Sequence, residues 1–480
     1  MTASRKTPGT SPTQHPDASA SASAAPSASP SAARHRRPGP PALPFIGHAW
    51  PLMRSPLRFV SELASYGDVV PVRLGPLPVQ AVTHPDLVHQ VLVTQARHFV
   101  RGRLFEKAGQ IGGEQGLVVT SGTTHLEDRR ALQPHFRREH ITGFAEGIRQ
   151  ATEEVTAHWK PGQTVHVDRM ATEIALSSLV RSLLGDRPSK ELTGVFHQHL
   201  PTLSQGLMTR AVLPEWCARL PLPANRTFQR AIGTTRAAVE EAITACRRPG
   251  TDETGLLGML TAQRDDNGRP WSDTKIRDHV LHLALAGVET TGATLAWTFH
   301  ELGRNPDIAD RLRHEVDHTL DGAPATPENI TALTYTGRVI TETLRRYAMW
   351  LAMRRTTVPV TLGEHTLPAG TEVVYSAYAL HHDPRWFPHP YRFDPDRWLP
   401  ETARALPKGA YIPFGSGVHK CIGDSLALME ITIALATVCR HWHLTPLPGR
   451  PVREVARADV HPDHLPMTAT PRRPRRKEEP

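Results

Sequence analysis

Apolar residues recur at spacings of three and four through most of the stretch from about 125 to 320, the signature of helices that bury one face. The longest pattern begins after Ser272, a good N-cap, and runs from Asp273 to Gly303, where Asn305-Pro306 stops it. At ~1.5 Å per residue this predicts a helix roughly 45 Å long. Its middle is apolar all round (Val280, Leu283, Leu285, Ala286), which predicts a buried central helix. Breaks in the helical pattern fall at Pro161-Gly162, Pro214, Pro221–Pro223 and Pro249-Gly250. Strand-like runs are confined to two places. Val69–Leu74 and Pro78–Val82 flank a Gly-Pro turn, and Thr356–Leu362 and Glu372–Ser376 predict short hairpins around Gly363-Glu364. Short helices are predicted near 56–66 and from Pro85 to Val93, whereas 381–412 is rich in Pro, Asp and aromatics with little periodicity. The fold class is therefore mainly α with a small β region. Length alone would suggest about three domains, but neither an internal repeat nor a clean linker is visible, so one domain is expected.

The chain ends do not share this patterning. Residues 1–37 are Ala, Ser, Pro and Thr with almost no large apolar side chain, so disorder is expected there. The same holds for the basic tail 471–480, which leaves 38–470 as the folded domain, entered through the proline-rich Arg37–Pro44. The ends also carry the charge. Residues 1–37 hold five Lys/Arg against one Asp, and 471–480 hold five against two Glu, which together supply most of the formal +9. The body is close to neutral, so no nucleic-acid partner is implied. Four cysteines without close pairing fit a reducing cytosol. No run of about 18 apolar residues and no secretory signal is visible, so a soluble cytoplasmic protein without a membrane span is expected.

The densest chemistry lies in Phe414-Gly415-Ser416-Gly417-Val418-His419-Lys420-Cys421-Ile422-Gly423. Three glycines around one cysteine allow positive φ and close approach of a bulky partner. A helix follows, with Asp424 as a candidate cap, so the sulfur lies near a helix N-terminus that favours thiolate. A lone cysteine is otherwise a small buried hydrophobe. Here the spacing resembles the haem-binding loop of the cytochrome P450 family, the haem-thiolate monooxygenases. The resemblance implies haem b with the Cys421 thiolate as axial ligand, under a long central helix.

Other segments resemble the same family in the expected order. Ala286-Gly287-Val288-Glu289-Thr290-Thr291 places polar groups in the most buried helix. Small residues at 286 and 287 leave room for a flat macrocycle and a diatomic ligand, and Gly287 allows local distortion of the helix. Threonine hydroxyls can also bond back to the carbonyl four residues earlier. By the resemblance Thr290 hydrogen-bonds the oxygen being activated and Glu289 helps deliver protons, an acid beside an alcohol being the minimal relay in a dry site. Glu342 and Arg345 share one helical face, and Arg397 in Phe393–Trp398 completes the Glu-Arg-Arg network the resemblance implies. This chain has Trp398 where the family more often has Phe, and Asp396 where it more often has Glu. Four positions match the family's haem-propionate donors: His125 and Arg129, Arg354, and His419. Arg355 competes with Arg354 for that role.

The resemblance implies a monooxygenase that inserts one atom of O₂ into an apolar small molecule. Electrons would come from a separate ferredoxin and its reductase, and a monomer is expected. Met349, Trp350, Leu351, Met353, Leu203, Leu207 and Met208, with the loop near 461–467, are candidate pocket residues and suit a hydrocarbon-like ligand. Runs such as Leu220–Arg226 and Phe393–Pro400 are similar to actinobacterial family members that hydroxylate sesquiterpenes, so a terpenoid of bacterial secondary metabolism is the expected substrate. Fatty acids and polyketides are the alternatives. Two rivals remain: peroxide-dependent or oxygen-independent haem chemistry, and a non-catalytic helical binding protein of the same fold.

Overall fold

The computed structural model describes residues 39–185, 190–212, 217, 219–248, 255–457 and 459–472. The expected tail 1–37, the breaks at Pro214 and Pro249-Gly250, and most of 471–480 lie outside the described residues. The ordered body does not stop at 470, however. A strand runs Pro466–Pro471, and Arg472 pairs with Asp317 at 2.7 Å.

The long helix spans Asp273–Arg304, and the Ser272 hydroxyl accepts from the Lys275 amide at 3.2 Å. Its buried residues run from Ile276 to Leu302, but of the apolar middle only Val280 is buried, Leu283 and Leu285 being half-buried and Ala286 exposed. Helices Val167–Leu184 and Pro223–Cys246 pack beside it, and Asp424–His441 crosses beneath its C-terminal half, sharing one apolar cluster through Leu295, Phe299, Ile431 and Leu435. Pro223, Pro306 and Pro85 each occupy a first helical position, where a missing N–H costs nothing. Pro223 thus starts a helix rather than only ending one. At Pro161-Gly162 the break becomes a strand, Gln163–His166.

The main β region is a five-stranded sheet. Its order is Val69–Leu74, Leu77–Val82, Glu372–Tyr375, Ala352–Thr356 and Phe99–Arg101, antiparallel except between the second and third strands. The edge strand Phe99–Arg101 was not foreseen, because three residues carry no periodicity. Its register sets Arg101 directly opposite Arg354. A second sheet joins Gln163–His166, Pro466–Pro471 and Trp442–Pro446. The hairpin Glu454–Ala456 with Val460–Pro462 reaches back to the long helix, where the Trp297 indole donates to the Val460 carbonyl at 2.8 Å.

Candidate active site

The loop before Cys421 is shaped by two glycines in the left-handed region, Gly415 at φ 68° and Gly417 at φ 66°. At Gly417 a Cβ would meet the Leu92 carbonyl oxygen at 1.8 Å, so no side chain fits. Gly423, the third glycine, has φ −94° and caps the following helix, which places Asp424 one residue inside it. The Cys421 amide donates to the Phe414 carbonyl at 2.8 Å, and the residue as a whole is exposed. Burial nevertheless raises the thiol above its ordinary range, although the Gly423 amide and Arg129 pull the other way. The helix terminus alone therefore does not yield a thiolate. A bound metal cation would, since a coordinating thiol is deprotonated outright.

Within the otherwise buried long helix, Ala286 is exposed and Gly287 and Thr290 are half-exposed. A Cβ on Gly287 would meet nothing within 4 Å. This bald stripe is the gap that small residues at 286 and 287 were expected to leave. The helix is continuous through Gly287, and the Thr290 hydroxyl donates to the Ala286 carbonyl at 2.7 Å. Glu289 is buried on a neighbouring face. Burial raises its carboxyl, against Arg457 and a hydrogen bond from Ser204.

The anion-binding candidates converge. The His125 and His419 rings lie 4.2 Å apart between centroids, and Arg129 donates to the Lys420 carbonyl at 2.6 Å. Arg355 is ion-paired with Glu372 at 2.8 Å and Glu106 at 2.5 Å, whereas among the described residues Arg354 has no carboxylate partner. That separates the two arginines. Arg101, which sequence reasoning did not assign, joins the group. Its Nε is sealed from solvent without a partner, and burial holds its pKa down to about 9, with Arg354 and Arg129 pushing the same way. His125 is less free: its ring nitrogens lie 3.2 Å from the Leu117 carbonyl and 3.1 Å from that of Val418, and burial lowers it to about 4.

Like charges directly opposite on paired strands repel. Three arginines without a carboxylate partner among the described residues, and a buried His419 Nδ1 with no partner, form a bed that an anionic group completes. A haem fits. Its two propionates would take Arg101, Arg129, Arg354 and His419, its face would take the stripe Ala286–Gly287, and its iron would take Cys421.

The Glu342 carboxylate is fully buried and fully used. Arg345 donates to both oxygens at 2.8 Å, Arg397 donates at 3.3 Å, and the Asp394 amide at 3.1 Å. The Trp398 indole adds a donor at 2.9 Å, so the departure from Phe contributes a bond. Asp396 is drawn outward by Arg311 and Arg338, each at 2.9 Å. Of the pocket candidates, Trp350, Met353 and Leu203 are core residues, Met349, Leu351 and Leu207 are half-buried, and the Met208 side chain lies outside the described residues.

Comparison with known proteins gives a consistent picture. The family model described as cytochrome P450 matches residues 38–461. Cyclooctat-9-en-7-ol 5-monooxygenase of Streptomyces melanosporofaciens is 38% identical over 90% of this chain and 95% of its own. Pentalenene oxygenase of Streptomyces avermitilis is 38% identical over 91% of this chain and 97% of its own. The solved haem domain of cytochrome P450DA superposes with a TM-score of 0.82 at 24% identity, covering 91% of this chain and 98% of that one, a likeness of fold.

Proposed function

The chain belongs to the cytochrome P450 family and is a haem-dependent monooxygenase, and from that premise we propose that its substrate is a cyclic terpenoid of bacterial secondary metabolism. The observation that carries the substrate class is the near full-length similarity to enzymes named for pentalenene and for cyclooctat-9-en-7-ol. The stripe of the long helix supports it, because apart from the Thr290 hydroxyl, which is bonded back to Ala286, it offers a hydrocarbon no polar handle.

Cys421 would ligate the iron, and the haem would supply the oxygen chemistry, with thiolate ligation favouring O–O cleavage. Arg101, Arg129, Arg354 and His419 would hold its propionates. Thr290 Oγ1 sits on the Ala286 carbonyl and, turned about its Cα–Cβ bond, would present its proton to the open side of the stripe. Glu289, raised by burial, holds its proton at a higher pH than an exposed carboxylate and is the donor behind Thr290. The Glu342 network is structural and fixes the segment 392–398 on the helix Thr334–Arg346.

Electron supply by a separate ferredoxin and reductase is part of the proposal. Beyond Cys421 only three cysteines remain, too few for a four-cysteine iron–sulfur cluster in this chain. Among the described residues no helix is long and apolar enough to cross a membrane. A cytoplasmic monomer is proposed with it. The test is a spectral titration of the haem-loaded protein with cyclic sesquiterpenes and diterpenes, fatty acids and polyketide lactones. The proposal expects the Soret band to shift with a terpenoid at micromolar concentration. A response to fatty acids or lactones only would overturn it.

A further inference from the structure

A cavity of about 410 Å³ lies against the face of the long helix that carries Val288, Glu289, Gly292, Ala293 and Ala296. Among the described residues its walls include none of Ala286, Gly287 and Thr290, so it is separate from the stripe described above. The opposite walls come from helices Val167–Leu184 and Lys190–Val212 and from the hairpin end at Arg457 and His461. Arg169 and His197 line it and are exposed, so it reaches bulk water. At roughly 30 Å³ per molecule in the liquid, it has room for on the order of ten waters.

At its inner end His461 Nε2 lies 3.5 Å from Glu289 Oε2. That nitrogen is buried and has no hydrogen-bond partner, so the imidazole is aimed at the carboxylate and held there by strand pairing. Other charged groups face this pair. Asp168, Arg169 and Glu173 come from the first helix, and His197 comes from the second, which also supplies the Ser204 hydroxyl to Glu289. Arg457 and Asp459 flank the hairpin turn, and Asp463 follows it. Asp168 and Asp463 are already engaged by backbone amides of Leu465 and Arg453.

We propose that this cavity is a water-filled proton inlet, and that His461 is the positioning residue that passes protons from its water to Glu289. The inference rests on the donor role proposed for Glu289. In each passage Nε2 gives its proton to Glu289 Oε2 after that carboxyl has released its own, Nδ1 takes one from a hydrated proton in the cavity, and the ring turns over to restore its first tautomer. Glu289 passes one on towards Thr290, and no electrons move. The ring need never hold both protons, which matches an imidazole that burial and Arg457 lower to about 3. Its partner carboxyl is shifted the other way, upward, by its own burial.

The test compares the full-length haem-loaded parent with H461F, H461Q and E289Q. It measures product formed per NADPH and the solvent kinetic isotope effect, and follows the protonated Glu289 carboxyl band by infrared titration, identified by its loss in E289Q. The inlet predicts that both His461 variants lose several-fold in product per NADPH with an enlarged isotope effect. It also predicts that the Glu289 band persists to higher pH in H461F. If E289Q uncouples while both His461 variants keep the parental coupling and band, the inlet is overturned and the role of Glu289 stands. If E289Q leaves coupling unchanged, both are overturned.

Discussion

Arg101 and Arg354 stand opposite one another on paired strands, and that costs energy in the protein alone. The cost makes sense as an anion site, and it shows what spacing could and could not reveal. Cys421 was legible because its glycines, helix and neighbouring histidine are local in sequence. Glu342 and Arg345 were legible as a helical pair, though not the donor from Trp398. Arg101 was not, since only the strand register brings it to Arg354. His461 was equally silent, because its partner Glu289 lies far along the chain. The Thr290 hydroxyl lies at the open stripe and bonds back to the Ala286 carbonyl, as threonines within helices can. Replacement by alanine should lower product per NADPH several-fold with haem content unchanged, measured by parallel NADPH and product assays. Unchanged coupling would assign the hydroxyl to the back-bond alone.

Among the elements, the long helix was read nearly to its ends, because cap and stop are single residues with direct physical effects. What it grips was not readable. The loop 113–117 is tied to its first half: the Gln115 amide donates to Asp278 Oδ2 at 3.2 Å and the Leu117 amide to His279 Nδ1 at 3.3 Å. At Gly116 a Cβ would meet His282 Nδ1 at 2.0 Å. Gly116→Ala should therefore loosen this loop, at roughly 1–3 kcal/mol as for other overpacked sites. Hydrogen exchange of the 113–119 amides should speed up, while that of the cysteine helix Asp424–His441 stays as it is. That helix carries its own pH dependence. Glu430, with Oε1 sealed from solvent, is raised by burial from 4.5 to about 8. The folded protein binds the extra proton between those values, so the stability it lends is full below about 4.5 and lost as pH rises through about 8. Thermal melts should show the Tm of E430Q gaining on the parent from pH 6 to 9; a constant difference would contradict the shift.

For the whole molecule, helices carry the frame, which the α-rich, β-poor pattern already outlined, and the small sheet brings Arg101 and Arg354 together. The tight coupling of fold to cofactor was not visible in the pattern. A bed of unpaired arginines is destabilising until an anion fills it, so haem should raise Tm, with about 2.7 kcal/mol expected at a hundredfold excess over Kd. In the R101Q/R354Q double variant scanning calorimetry should show a smaller gain on haem loading. The central claim, insertion of one oxygen atom from O₂ into a terpenoid, is met most directly by turnover under ¹⁸O₂. The haem-loaded protein, supplied with ferredoxin, reductase, NADPH and a cyclic terpenoid, should give a product carrying one ¹⁸O atom, with none in the C421A variant. A product labelled from water, or turnover of fatty acids with every terpenoid left untouched, would contradict the account.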